Sequence, residues 1–191
     1  GFRPQPLGTT RVVDKAGQQL QLHKGAVVAI REIKTLDQWD GTQIAWASRT
    51  DCPEWAQQAL VEMEVIKGMT LKAAASFEEI YPVRSKVEQF EKLRRDSGCE
   101  YEEMLFFDNE ERNCNEVSRL GVLCKYTPGG MTEKHWREAL VNYSKHIQVR
   151  MDDLVANPEK PEVRREQARS RRTHSLGAAS GEQGDAAAVY S

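Results

Sequence analysis

The sequence predicts an α/β protein with a parallel sheet covered on both faces by helices. Short apolar runs of strand length recur at residues 42–47 (TQIAWA), 104–107 (MLFF) and 122–126 (VLCKY). Stretches with helical spacing stand between them. Gly98 and Gly121 close two of those stretches before the next strand begins.

Taken in order, residues 10–13 and 18–22 are strand-like runs joined by the turn-rich Asp14-Lys15-Ala16-Gly17, which predicts a small hairpin flap. Between Gly25 and Leu36, Val27, Ile30 and Ile33 recur at helical spacing, with Arg31, Glu32 and Lys34 left for solvent. The run 42–47 suits a buried strand with the polar Ser48 at its carboxyl end. Pro53 opens a second helix, because its missing N–H costs nothing in a first turn. Residues 76–81 (SFEEIY) read as a strand stopped at Pro82, and Val83, Val87, Phe90 and Leu93 share one helical face as far as Gly98. The apolar run 104–107 closes on Asp108, Val117 and Leu120 sit on a short helix, and 122–126 is another strand. Trp136, Leu140, Tyr143 and Ile147 mark a last helix beginning near Thr132.

With 191 residues, 39% of them hydrophobic, the chain supports one compact domain, placed at residues 1–150. Residues 151–191 turn to proline, a basic cluster around Arg164, and then glycine, alanine and serine, and are expected to be a disordered tail. Glu159, Glu162 and Glu166 interrupt the basic cluster, and the net charge is -2, so no nucleic-acid partner is expected. No apolar run reaches the ~18 residues that span a bilayer, so no membrane partner is expected either. Cys52, Cys99, Cys114 and Cys124 form neither a Cys-x-x-Cys pair nor a disulfide framework, which suits a reducing, cytoplasmic setting.

In open α/β sheets ligands bind outside the carboxyl ends of the strands. Three places there carry chemistry: Ser48-Arg49-Thr50, Ser85-Lys86 and Asp108-Asn109. A hydroxyl, an ammonium and a carboxylate converging on one cleft are what phosphoryl transfer needs beside its nucleophile. Singly each has an ordinary structural explanation, as a cap or a solvated helix residue. Their order after successive strands is what distinguishes them.

The passage MLFFDNEERNCNEVSRLG (104–121), with Ala47-Ser48-Arg49-Thr50, Ser85-Lys86-Val87 and Gly129-Gly130-Met131-Thr132, resembles the magnesium-dependent phosphatase-1 family of the haloacid dehalogenase superfamily. The resemblance implies a Rossmann-like fold and a Mg²⁺ cofactor. It also implies phosphomonoester hydrolysis through an aspartyl-phosphate, on a phosphorylated small molecule such as a sugar phosphate or on a phosphotyrosine protein. By the same resemblance, Ser48 binds the phosphoryl oxygens, Arg49 contacts substrate, Lys86 offsets negative charge, and Asp108 or Asn109 holds the metal. The hairpin would be the insert that partly covers the site.

Two departures accompany it. The family's paired aspartates are here Asp108-Asn109, and asparagine brings no charge to a hard cation, so weaker metal binding is expected. No Asp-x-Asp-x-Thr nucleophile signature occurs in the 191 residues. The chain is therefore expected to be N-terminally truncated, inactive alone, and without its first, central strand. The strands ending at Ser48 and Asp108 should then flank a vacant slot about 9.6 Å wide, or collapse together. The alternative function is a non-catalytic binding or scaffold protein on the same fold.

Overall fold

A computed structural model describes residues 9–13, 17–157 and 186–190. Its centre is a five-stranded, all-parallel sheet made of β3 (Thr42–Ser48), β6 (Phe77–Ile80), β7 (Met104–Asp108), β8 (Leu123–Tyr126) and β9 (Ala186–Tyr190). The spatial order is β6-β3-β9-β7-β8. Strand β3 is buried across its four residues 44–47 and β7 along its whole length, as expected of strands covered on both faces.

The two-residue period of the strands divides the core. Ile44, Trp46, Leu105 and Phe107 point to a face covered by α1 (Lys24–Thr35) and α6 (Glu133–Ala156), with α2 (Pro53–Glu62) and α3 (Leu71–Ala74) at its margin. Ala45, Ala47, Met104 and Phe106 point the other way, against Phe90 and Leu93 of α4 (Val87–Ser97) and Val117 of α5 (Glu111–Ser118). Phe90 meets Phe106 edge to face, with ring centroids 4.9 Å apart. The expected Rossmann-like class is thus the observed one. Among the described residues no helix is long and apolar enough to cross a membrane.

The hairpin flap is present as β1 (Thr9–Val13) paired antiparallel with β2 (Gln19–Gln21), though residues 14–16 of its turn lie outside the described part. A second hairpin, β4 (Glu64–Ile66) with β5 (Met69–Thr70), was not legible in the sequence. Met63 and Ile66 continue an apolar spacing from α2, and only the reversal at Gly68, whose φ is 81°, breaks it. Helix α4 begins at Val87, four residues later than the apolar pattern suggested.

The larger correction concerns the tail and the central slot. Helix α6 runs to Ala156, past the boundary drawn at residue 150. The slot between β3 and β7 is neither vacant nor collapsed, because β9, taken from the stretch expected to be disordered, fills it parallel to both neighbours. An empty slot would leave two facing rows of backbone N–H and C=O groups unpaired in an apolar interior, and one extended segment satisfies both rows. Composition could not foresee this, since backbone pairing is blind to side chains. The remainder of the expected tail, residues 158–185 and 191, lies outside the described residues.

Candidate active site

The carboxyl ends of β3 and β7 carry Ser48 and Asp108, and Lys86, the residue before α4, reaches between them. Its ammonium donates to the Ala47 carbonyl at the end of β3 and lies 3.1 Å from Oδ2 of Asp108 at the end of β7. Both side chains are almost fully buried, at 3% and 1% exposure. The ammonium also stands 5.2 Å from the Phe106 ring centroid. Burial pushes the Lys86 pKa below the ordinary lysine value, while the Asp108 carboxylate pulls it back up.

Asp108 is held from several sides. Its Oδ1 accepts the Glu110 backbone N–H at 2.6 Å, and its Oδ2 accepts Asn113 Nδ2 at 3.0 Å as well as the lysine. Its carbonyl accepts the Thr127 N–H at 2.8 Å, which ties the loop after β8 to the end of β7. Both carboxylate oxygens are therefore oriented before any ligand arrives.

A cavity of about 390 Å³ opens beside this pair. Trp46 and Phe107 give it apolar walls, and Asp108, Asn109 and His23 line it together with the loop from Thr127 to Met131. Gly130 is required in that loop: its φ is 85°, and a Cβ there would lie 2.0 Å from the His23 ring. At Gly129, by contrast, a Cβ would meet nothing, so that glycine serves no close approach.

Of the five residues singled out from the sequence, Asp108 and Asn109 line the cavity, and Lys86 joins them through its ion pair. Ser48 lies at the end of β3, half-buried, with no hydrogen-bond partner for its Oγ among the described residues. Arg49 crosses to the far loop, donating to Glu110 at 2.6 Å and to the Arg84 carbonyl at 3.2 Å. Three contributors were missed: Asn113 and Glu110, which fix Asp108 and Arg49, and His23. Asn113 is five residues past Asp108, a spacing that means nothing until the strand-to-helix turn is known to bring its amide back.

The oxygen set suits a hard cation in part. Asp108 gives one carboxylate and Asn109 a carbonyl oxygen on the cavity lining, while Asn113, whose Nδ2 donates to Asp108, keeps a buried Oδ1 without a partner. No cluster of three or more His, Cys, Asp or Glu side chains able to hold a metal occurs among the described residues. A magnesium ion here would complete its shell with water and phosphate oxygens, as this ion commonly does.

A parallel sheet with helices on both faces, and a buried lysine–aspartate pair that links the carboxyl ends of β3 and β7, fit the haloacid dehalogenase-like class. The acid phosphatase family model matches residues 2–146, and the chain belongs to that family. Magnesium-dependent phosphatase 1 of Homo sapiens is 33% identical over 144 residues, covering 75% of this chain and 74% of that protein. A HAD-like hydrolase superfamily protein of Schizosaccharomyces pombe is 34% identical over 124 residues, covering 63% of this chain and 69% of that one.

Proposed function

We propose that this chain carries the cleft of a magnesium-dependent phosphomonoesterase, and that the 191 residues do not turn over by themselves. The buried Lys86–Asp108 pair beside the cavity carries the reading. A fixed ammonium at the carboxyl ends of the central strands suits the charge that gathers when a phosphoryl group meets a carboxylate nucleophile. Asp108 and Asn109 would hold Mg²⁺, which supplies Lewis-acid polarisation of the phosphoryl oxygens. Ser48 Oγ is free to donate to a phosphoryl oxygen, and Arg49 could leave Glu110 for the same anion.

The phosphoryl acceptor is the missing part. The described cleft offers no aspartate besides Asp108, whose two oxygens are already engaged, and the sequence contains no Asp-x-Asp-x-Thr. With that signature supplied, the step would run through an aspartyl-phosphate that water hydrolyses. The walls of Trp46 and Phe107 favour an aryl leaving group, such as the tyrosine phenolate of a phosphotyrosine, over a bare sugar.

Phosphate release from an aryl phosphate ester tests this. The 191-residue chain should release none above background. A form carrying the aspartate signature on its central strand should release phosphate only with Mg²⁺ and lose that activity on chelation. Release indifferent to chelator would overturn the reading, and a restored form that binds phosphate without turnover would favour a binding protein instead.

A further inference from the structure

Three segments leave the carboxyl end of the sheet beside the buried Lys86–Asp108 pair, and each brings an arginine to the same place. Arg49 follows β3, Arg84 lies between β6 and α4, and Arg112 is the second residue of α5. Arg49 Nη1 and Arg112 Nη2 both donate to the Arg84 carbonyl, at 3.2 and 3.5 Å. One carbonyl oxygen thus gathers two guanidinium groups, and Arg84 adds its own to the same loop. Like charges collect here against their mutual repulsion, and the helices add to the cost. Arg112 stands in the first turn of α5 and Arg84 just ahead of α4, at the positive ends of both helix dipoles, where a cation is disfavoured.

The acids nearby offset this only in part. Arg49 pairs with Glu110 and Arg112 with Glu116, whereas Arg84 has no acidic partner among the described residues. Glu88 and Glu111 lie in the first turns of α4 and α5 but form no ion pair with these arginines. Glu116 is occupied twice, since Ser85 Oγ also donates to it at 2.7 Å. Arg112 spends its Nε on Glu116 and one Nη on the carbonyl, which leaves donors of its planar fork facing solvent. An exposed cation without a partner, next to a second with donors to spare, is a receptor for a carboxylate or a phosphate.

We propose that Arg84 and Arg112 form a rim subsite for a second anionic group of the substrate, and that the preferred substrate is a phosphotyrosine peptide with an acidic residue beside the phosphotyrosine. This rests on the phosphomonoesterase reading and extends it to what surrounds the phosphoryl group. Arg49, directly after Ser48, holds the same Arg84 carbonyl as Arg112, so the rim stands close to the phosphoryl position. Arg84 and Arg112 are exposed while Lys86 is buried. A ligand that meets both must reach from the cleft out to solvent, which suits a peptide better than a compact sugar phosphate.

Four dye-labelled peptides test it, with tyrosine or phosphotyrosine flanked by glutamate or by glutamine, titrated with the full chain in the presence of Mg²⁺ and read by fluorescence anisotropy. The glutamate phosphopeptide should bind about fivefold more tightly than its glutamine counterpart. In the double variant Arg84→Gln, Arg112→Gln that ratio should fall to about one, with the affinity for the glutamine phosphopeptide unchanged. Both side chains are exposed, so the fold is not at stake. A ratio of one in the unsubstituted chain, a ratio that survives the double substitution, or no binding of any of the four at millimolar concentration would overturn the inference. Glutamate and phosphate report separately. A glutamate preference that persists while phosphate adds nothing keeps the anion subsite and defeats the phosphomonoesterase reading; a phosphate dependence without a glutamate preference does the reverse.

Discussion

The Lys86–Asp108 pair is a case in which burial raises the stakes of a single substitution. Both groups are out of water, and each is the other's counter-charge. Replacing Lys86 by methionine leaves a carboxylate buried and unpaired, which costs about 3–5 kcal/mol. Urea unfolding followed by tryptophan fluorescence should show that loss, and a change under ~1 kcal/mol would mean that water reaches Asp108. Asn109 offers the opposite experiment. It is exposed at the cavity, so Asn109→Asp adds a second carboxylate for a hard cation without burying charge. Mg²⁺ affinity by titration calorimetry should rise about tenfold, ~1.4 kcal/mol. Ser48, Lys86 and Asp108 were legible because strand ends can be read from apolar runs. Asn113 and Glu110 were not, since what they do depends on where the chain turns after Asp108.

Among the elements, the junction of α1 and α6 is tight enough to reverse an ordinary propensity. Gly25 lies in the first turn of α1, where alanine would normally favour the helix by roughly 1 kcal/mol. A Cβ there would stand 2.3 Å from the backbone carbon of Thr132, and the Gly25 N–H donates to the Met131 carbonyl at 3.0 Å. The obstacle is backbone at the capped start of α6, where Thr132 Oγ1 accepts the His135 N–H, so it cannot swing aside. Gly25→Ala is expected to destabilise by about 1–3 kcal/mol in thermal melts. A stabilised variant would show that the two helices slide apart freely. Sequence periodicity found both helices but could not show that they touch at this point. The β4–β5 hairpin and β9 escaped it for a different reason: two- to five-residue strands carry too little pattern to stand out from a helix margin or a low-complexity stretch.

At the scale of the whole molecule, half-buried tyrosines couple stability to alkaline pH. Tyr143 on α6 donates to the Glu103 carbonyl at 2.7 Å, tying the long helix to the turn before β7. Burial, helped by the nearby Glu103 charge, pushes its pKa up to about 12, and Tyr81 is likewise pushed to about 12, first by burial and then by Glu79. An unfolded tyrosine ionises near pH 10. The folded state thus holds its phenolic protons more tightly, and the stability they contribute is complete below about pH 10 and lost as pH rises towards 12. Urea midpoints measured at pH 8, 10 and 11 should fall over the last step, and Tyr143→Phe should shallow that fall while costing about 1 kcal/mol at neutral pH. The sequence by itself determined the class, the strand ends and the order of Ser48, Lys86 and Asp108, because side-chain periodicity and punctuation are local properties. The tertiary structure alone decided that Ala186–Tyr190 closes the sheet, that Lys86 spans from β3 to β7, and that Asn113 and Glu110 orient the site. Those depend on which backbone groups need a partner and which distant side chains the folded sheet brings within reach.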